Sequence, residues 1–101
     1  MKISNLTSPS GNPVPNQFLI TEYGNWASGN FVRRDTFQSY QSIIVIQTFW
    51  AWGETVTVLD EKYWDYSRTT GKYRNQFLWE DKKETEKKIK SWEYKLSNLN
   101  K

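Results

Sequence analysis

The sequence feature that most restricts the fold is a change in the spacing of apolar residues near Trp64. Before it, short β-branched and aromatic runs follow one another, and SIIVIQTF at 42–49 is the most strand-like of them. TVTVL at 55–59 then alternates, which puts Val56 and Val58 on one face, and a glycine lies between the two runs. These two runs predict a β-hairpin.

Two further strands are predicted ahead of this hairpin. FLITEY at 18–23 is short, apolar and β-branched, and FVRRDTFQSY at 31–40 is polar enough for a half-exposed strand. GNWASGN at 24–30 joins them and carries the glycine and asparagine residues of a turn. Residues 7–17, TSPSGNPVPNQ, hold all three prolines of the chain, so we expect an irregular or polyproline-like conformation there.

The last third of the chain has helical spacing. N-cap residue types precede Tyr73 and Phe77, which lie four positions apart and predict a helix over 69–80. DKKETEKKIKS at 81–91 places glutamate four residues before lysine, which predicts a second, solvated helix or a continuation of the first. EYKLSNL at 93–99 alternates and predicts a closing edge strand.

These elements together predict an α+β fold. In the order β-β-β-β-α-α-β, a small antiparallel sheet of about five strands carries one or two helices packed on one face. At 101 residues the chain fits a single domain, which we place at 18–101, after a proline-rich N-terminal arm at 1–17. A chain of this length can bury a sufficient core without a metal or a crosslink.

The composition disfavours catalysis. The chain contains neither cysteine nor histidine, which excludes disulfides, thiolate metal sites and cysteine nucleophiles and removes the usual general base. Asp60, Glu61 and Asp65 are the only clustered acids outside the second predicted helix, and no Asp-x-Asp-type loop accompanies them. We therefore expect a non-enzymatic protein with no cofactor and no metal.

The apolar segments are too short for a membrane protein. Residues 1–17 lack the apolar stretch of a signal peptide, and the longest apolar run, IIVI at 43–46, cannot span a bilayer. The lack of cysteine also fits a reducing compartment. We therefore expect a cytoplasmic protein that does not contact a membrane.

YSRTTGK at 66–72 resembles part of a phosphate-binding loop. A P-loop requires Gly-x-x-x-x-Gly-Lys-Ser/Thr, because its glycines let backbone N–H groups surround phosphates and its hydroxyl binds magnesium. Here tyrosine replaces both the first glycine and the final Ser/Thr. We therefore interpret Ser67, Thr69 or Thr70 as the cap of a helix.

The basic residues at this helix start do not fit a purely structural role. Helix N-termini favour acidic side chains, yet this one carries Arg68, Lys72 and Arg74. A bound phosphate, nucleic-acid backbone or partner carboxylate would resolve the conflict. The alternative is that the three side chains lie in water or pair with acids such as Asp65.

A nucleic-acid surface is one hypothesis for the basic and aromatic residues. The formal net charge is +3, and the basic residues concentrate in the last third of the chain. Basic and aromatic side chains together can bind a single strand through backbone charge and base stacking. The residues that we predict for this role are Arg33, Arg34, Arg68, Lys72, Arg74, Tyr66 and Tyr73.

A protein interface is the other hypothesis. Trp26, Trp50 and Trp52 lie at predicted turns. If they are exposed together, they form an interface anchor, because tryptophan is enriched among the residues that dominate binding energy. If they fold back over the sheet, they form a satellite core instead.

Three segments, FQSYQSIIV (37–45), VTVLDEKYWDYS (56–67) and YSRTTGKYRNQFL (66–78), resemble a group of small, mostly uncharacterised phage-encoded proteins. That group shares a Ser-Tyr strand and a Tyr-Ser-x-Thr-Thr helix start. The matching positions are Ser39, Tyr40, Tyr66, Ser67, Thr69, Thr70, Tyr73, Phe77 and Leu78. This sequence departs from the pattern at Gly71, where serine is common, and at Trp92, a position suited to glycine. The resemblance implies a bacteriophage or prophage origin and a cytoplasmic setting, and it brings no catalytic residue.

We therefore expect a non-enzymatic phage accessory protein that binds a host or defence-system protein. It would act in the cytoplasm of an infected bacterium, in host takeover or in anti-defence, and Trp26, Trp50 and Trp52 would make the contact. The alternative is a nucleic-acid-binding protein that uses the basic helix start and the nearby tyrosines.

Overall fold

The computed structural model describes residues 1–24 and 31–100, which form six strands and two helices. In chain order these are β1 (Lys2–Thr7), β2 (Pro13–Tyr23), β3 (Phe31–Ser39), β4 (Ser42–Trp50), β5 (Thr55–Asp60), α1 (Arg68–Leu78), α2 (Lys82–Lys90) and β6 (Lys95–Ser97). The predicted α+β class is confirmed, and the two predicted helices are separate.

The strands form one sheet in the order β1-β2-β3-β4-β5-β6. The first five are antiparallel to one another, as predicted. β6 closes the sheet as an edge strand and runs parallel to β5, which is possible because α1 and α2 form a crossover after which β6 begins beside Val58.

The irregular conformation expected for residues 7–17 is found only at residues 8–12 and is wrong for the rest, which lie in strands. Residues 2–7 form β1, which pairs with β2, and β2 itself begins at Pro13. The irregular part is limited to a turn, in which Ser8 N–H donates to the carbonyl of Asn12 at 2.8 Å. Proline is tolerated here because Pro13 is the first residue of its strand, next to a bulge in the pairing with the edge strand β1.

The hydrophobic core lies between the helices and one face of the sheet. Phe37, Val45 and Leu59 are fully buried and follow one another across neighbouring strands. Phe37 stacks on Phe77 of α1, with 5.9 Å between ring centroids. α1 also buries Tyr73, which confirms the predicted apolar face of this helix.

The two ends of the sheet have different chemistry. At one end, which we call the tryptophan end, lie the end of β2, the start of β3 and the connection from β4 to β5. At the other, which we call the cavity end, lie the short turn from β3 to β4 and the start of α1. The nine residues of β3 separate the two ends by roughly 25 Å.

In the described part of the chain, neither helix has the length and apolar character needed to cross a membrane.

Candidate functional site

Trp50 and Trp52 form a stacked pair at the tryptophan end. The turn that carries them is closed by Trp50 N–H, which donates to the carbonyl of Glu54 at 2.9 Å, and Gly53 takes a φ of 93° that favours glycine. The two rings are 5.0 Å apart and 11° from parallel. Trp52 is 62% exposed, and its Nε1 donates to the Glu54 carboxylate at 3.0 Å. The third predicted tryptophan, Trp26, lies outside the described residues.

Two arginines lie at the same end, on opposite faces of β3. The Arg34 guanidinium lies 4.1 Å from the ring centroid of Phe31. Arg33 lies 5.6 Å from that of Phe49 and forms a 2.7 Å ion pair with Asp35. The hydrogen bonds that Arg33 donates to the Asp35 carboxylate raise the pKa of Arg33, against the opposing effect of burial. Both arginines therefore contact aromatic rings, an arrangement common at protein interfaces.

Acidic side chains offset the positive charge at the tryptophan end. Glu22 is the register partner of Arg34, and Asp35 pairs with Arg33. Glu54 accepts the indole hydrogen bond of the tryptophan pair. This end therefore lacks the concentrated positive charge of a phosphate-binding surface.

The helix start at the cavity end is capped as the sequence indicates. Ser67 is the N-cap of α1, and its hydroxyl accepts the backbone N–H of Thr70 at 3.1 Å. The Thr70 hydroxyl is buried and lies 3.2 Å from the hydroxyl of Ser39 on β3. Among the three residues proposed for the cap, the structure selects Ser67.

The three predicted anion-binding residues of α1 line one groove together with Lys82 and Asp65, but they differ in burial. Arg68 and Lys72 are exposed. Arg74 is only 1% exposed, and it donates to the Trp64 carbonyl at 2.8 Å and to Asp65 at 3.2 Å. Arg74 therefore pairs with an acid, which was the alternative interpretation of the sequence.

Asp65 links this arginine to the second helix. Its other carboxylate oxygen lies 2.7 Å from Lys82 Nζ. Burial raises the pKa of Asp65, but hydrogen bonds from Lys82 and Arg74 outweigh it and hold the pKa below its usual value. The two tyrosines predicted to act with these basic residues also lie in different environments, because Tyr73 is in the core and Tyr66 is exposed.

A cavity of about 540 Å³ opens at the cavity end. Residues of two segments singled out in the sequence meet in it: Ser39 and Tyr40 after β3, and Tyr66, Ser67 and Thr70 at the start of α1. The side chains that line it are aromatic rings, hydroxyls and amides, with one isoleucine. The volume is in the range of small-molecule sites.

Two exposed tryptophans were not predicted as site residues. Trp79 follows α1 and is 94% exposed, and Trp92 follows α2 and is 84% exposed. Both have left-handed backbones, with φ of 58° and 66°. The sequence alone could have identified them, because each tryptophan lies at the end of a predicted helix, at a position where glycine is favoured.

The clustered acids have structural partners. Asp60 is buried and accepts backbone N–H groups of Lys62, Tyr63 and Leu99 at 3.0, 2.8 and 2.8 Å. Burial raises the pKa of Asp60, but these hydrogen bonds outweigh it and lower the pKa. Within residues 1–24 and 31–100, no group of three or more acidic side chains is placed to hold a metal ion.

Comparison with known families gives one match. A family model described as a family of unknown function, DUF8033, matches residues 1–93. Neither a curated protein nor a solved structure matches the chain.

Proposed function

We propose that this chain, which belongs to the DUF8033 family of unknown function, is a non-enzymatic module that binds a partner protein through its tryptophan end. The observation that carries the proposal is the exposed Trp52, stacked on the half-buried Trp50 beside two arginines. Tryptophan and arginine are the residues most enriched at the energetic centres of protein interfaces.

The fixed geometry of this surface favours tight binding. The Trp52 ring is held by its stack on Trp50 and by the hydrogen bond to Glu54. Arg33 is held by its ion pair with Asp35. Side chains that are already ordered lose less conformational entropy when a partner binds.

Further exposed aromatic residues extend this surface. Tyr23, the last residue of β2, is 71% exposed and is the register partner of Arg33. Trp79 lines a shallow cavity together with Arg33 and Phe77, on the helix-covered face. A partner could therefore contact the hairpin turn and the end of α1 together.

The charge distribution favours a protein partner over nucleic acid. Five to six strand residues, roughly 16 to 20 Å, separate Arg34 and Arg33 from Ser39 at the cavity end, where α1 begins with Arg68. Arg74 is buried, and Asp35 and Glu22 face the two arginines of β3. The predicted basic residues thus form no continuous positive track along which a phosphate backbone could lie.

The partner that we propose is a protein of a bacterial host or of its defence system. The resemblance of the Ser39-Tyr40 and Tyr66-Ser67 segments to phage-encoded proteins supports it. This assignment also places the chain in the cytoplasm of an infected bacterium, where it would act in host takeover or anti-defence.

The test compares three forms of the protein as bait in a bacterial lysate: wild type, Trp52→Ala and Tyr66→Ala. Tyr66 is a matched aromatic control because it is at least as exposed as Trp52 and lies at the cavity end. We expect wild type and Tyr66→Ala to retain the same protein and Trp52→Ala to lose it. Calorimetry with the purified partner should then show at least about a tenfold weaker affinity for Trp52→Ala.

Two results would count against the proposal. Equal retention by all three forms would place the contact elsewhere. Retention that nuclease abolishes and that falls steeply with salt would support nucleic-acid binding instead.

A further inference from the structure

We propose that the cavity at the opposite end of the sheet binds a neutral saccharide. The site is formed where Ser39 and Tyr40 meet Tyr66, Ser67 and Thr70. It is separate from the tryptophan end and goes beyond the proposed protein contact.

The aromatic walls fit the apolar faces of a sugar ring. Tyr40 is 57% exposed and Tyr66 is 70% exposed, and both line the cavity. Tyr63 lies against Tyr66 in an edge-to-face arrangement, with 5.3 Å between ring centroids. The C–H groups on one face of a pyranose pack well on such rings, because the ring face carries partial negative charge.

Hydroxyl and amide groups supply hydrogen bonds to the edge of the same ligand. Ser39 and Thr70 are buried in the wall and bonded to each other, while Ser42 and Gln41 line the opening. Each hydroxyl can both donate and accept, as can each hydroxyl of a sugar. Rings and hydroxyls together thus match a ligand that is apolar on its faces and polar at its rim.

The absence of charge in the lining decides the ligand class. No acidic or basic side chain lines this cavity in the described part of the chain. The exposed Arg68 and Lys72 line a different groove, which they share with Asp65. A charged ligand would lose its hydration in this cavity without gaining a counter-ion, so a neutral ligand is favoured.

The shape of the cavity mouth is fixed by backbone geometry. Asn16 and Tyr40 both line the cavity, and both have left-handed backbones with φ of 66° and 57°. The backbone N–H of Tyr40 donates to the carbonyl of Asn16 at 2.6 Å, which holds the two residues together. Such conformations are costly for tyrosine and tend to occur at functional sites.

The side-chain amide of Gln17 lies next to the cavity wall at Ser39. Gln17 is fully buried and is the register partner of Ser39. Among the described residues, neither its side-chain nitrogen nor its oxygen has a hydrogen-bond partner. Buried amides are usually satisfied. Because Gln17 does not itself line the cavity, this amide can act on a ligand only through lining side chains such as Ser39.

The test screens the full-length protein against uncharged mono- to trisaccharides of glucose, galactose, mannose and N-acetylglucosamine. Amide chemical shifts in NMR spectra report where each probe binds, and titration gives its affinity. We expect at least one saccharide to shift the signals of residues 39–42 and 63–70. Glucuronic acid and the nucleosides adenosine and uridine are the comparison probes, and we expect them to bind more weakly.

Two variants with a matched control locate the site. Tyr66→Ala removes an exposed ring of the cavity, and Tyr40→Asn removes another while keeping a residue that tolerates a left-handed backbone. We expect each to weaken saccharide binding about tenfold. Tyr23→Ala is the control, since Tyr23 is equally exposed but lies at the tryptophan end, and it should leave the affinity unchanged.

Three results would overturn the proposal. They are no binding by any neutral saccharide in the screen, shifts confined to other parts of the chain, and tighter binding of a nucleoside or of glucuronic acid at these residues. None of them bears on the protein contact at the tryptophan end, which is measured with a different partner.

Discussion

Trp79 and Trp92 occupy backbone positions that suit glycine. Each follows a helix with a left-handed backbone, and each is almost fully exposed, so little burial offsets the steric cost. Left-handed geometry costs roughly 1 to 2 kcal/mol for a residue with a side chain. Both side chains are thus retained at a cost in stability, which is compatible with a role in intermolecular contact.

We therefore predict that Trp92→Gly stabilises the protein. The free energy of unfolding in urea should rise by about 1 kcal/mol, because glycine removes the clash between Cβ and the backbone. Trp52→Gly is the control. Trp52 has no left-handed backbone and stacks on Trp50, so its replacement should lower the stability. A fall in stability for Trp92→Gly would show that its side chain has a structural role.

The environment of the basic residues at the start of α1 was only partly predictable from the sequence. The charge of Arg68, Lys72 and Arg74 is visible in the sequence, but their exposure is not. Arg74 lies one helical turn after Thr70 and shares its buried side, whereas Arg68 and Lys72 point away from the core. Helical spacing alone groups Thr70 with Arg74, but only the packing shows that this side is buried.

At the scale of elements, α1 is held to the chain before it by polar contacts as well as by its apolar face. Arg74 binds the Trp64 carbonyl and Asp65, and its guanidinium lies 5.3 Å from the Trp64 ring centroid. Asp65 in turn pairs with Lys82 at the start of α2. These contacts fix both helices relative to the segment that follows β5.

We predict that Arg74→Ala destabilises the protein by about 3 kcal/mol. The substitution removes the hydrogen bond to the carbonyl of the half-buried Trp64, a fully packed side chain and an ion pair. The matched substitution, Arg68→Ala, removes an exposed arginine of the same helix and should change the stability by less than about 0.5 kcal/mol. Urea unfolding measures both, and equal stability of the two variants would contradict the structural role of Arg74.

At the scale of the whole molecule, the C-terminal residues join the last strand to the middle of the sheet. Leu99 N–H donates to the buried carboxylate of Asp60 at 2.8 Å. The Asn100 side chain makes two hydrogen bonds to the backbone of Ile43 on β4, at 2.6 and 2.9 Å. The pKa of Asp60 is lowered by its hydrogen bonds, so folding favours the ionised form.

The stability that Asp60 contributes should therefore depend on pH. It should be fully present above about pH 4, the pKa of an unfolded aspartate, and be lost as the pH falls through the lower pKa of the folded state. We predict that Asp60→Asn lowers the free energy of unfolding by about 2 kcal/mol at pH 7. The difference from wild type should shrink below about pH 4.

Denaturant unfolding at several pH values measures this difference. Glu61→Gln is the control, because Glu61 is adjacent in sequence but exposed, and it should follow wild type throughout. A difference between wild type and Asp60→Asn that is the same at pH 7 and pH 3 would show that the charge of Asp60 is not what stabilises the fold.

The sequence by itself determined the local elements. Strand-like composition predicted β3 and β4, alternation predicted β5, and the spacing of Tyr73 and Phe77 predicted α1 with a hydroxyl cap. These signals are local, because side chains within a few residues decide whether a strand or a helix has a face to bury.

Only the tertiary structure decided the pairing of β1, the parallel direction of β6 and the burial of Arg74. It also decided which predicted residues meet. Ser39 and Thr70 are 31 positions apart, Asp60 and Leu99 are 39 apart, and Ile43 and Asn100 are 57 apart. Such contacts depend on how the complete sheet packs against its helices, and no short stretch of sequence contains that information.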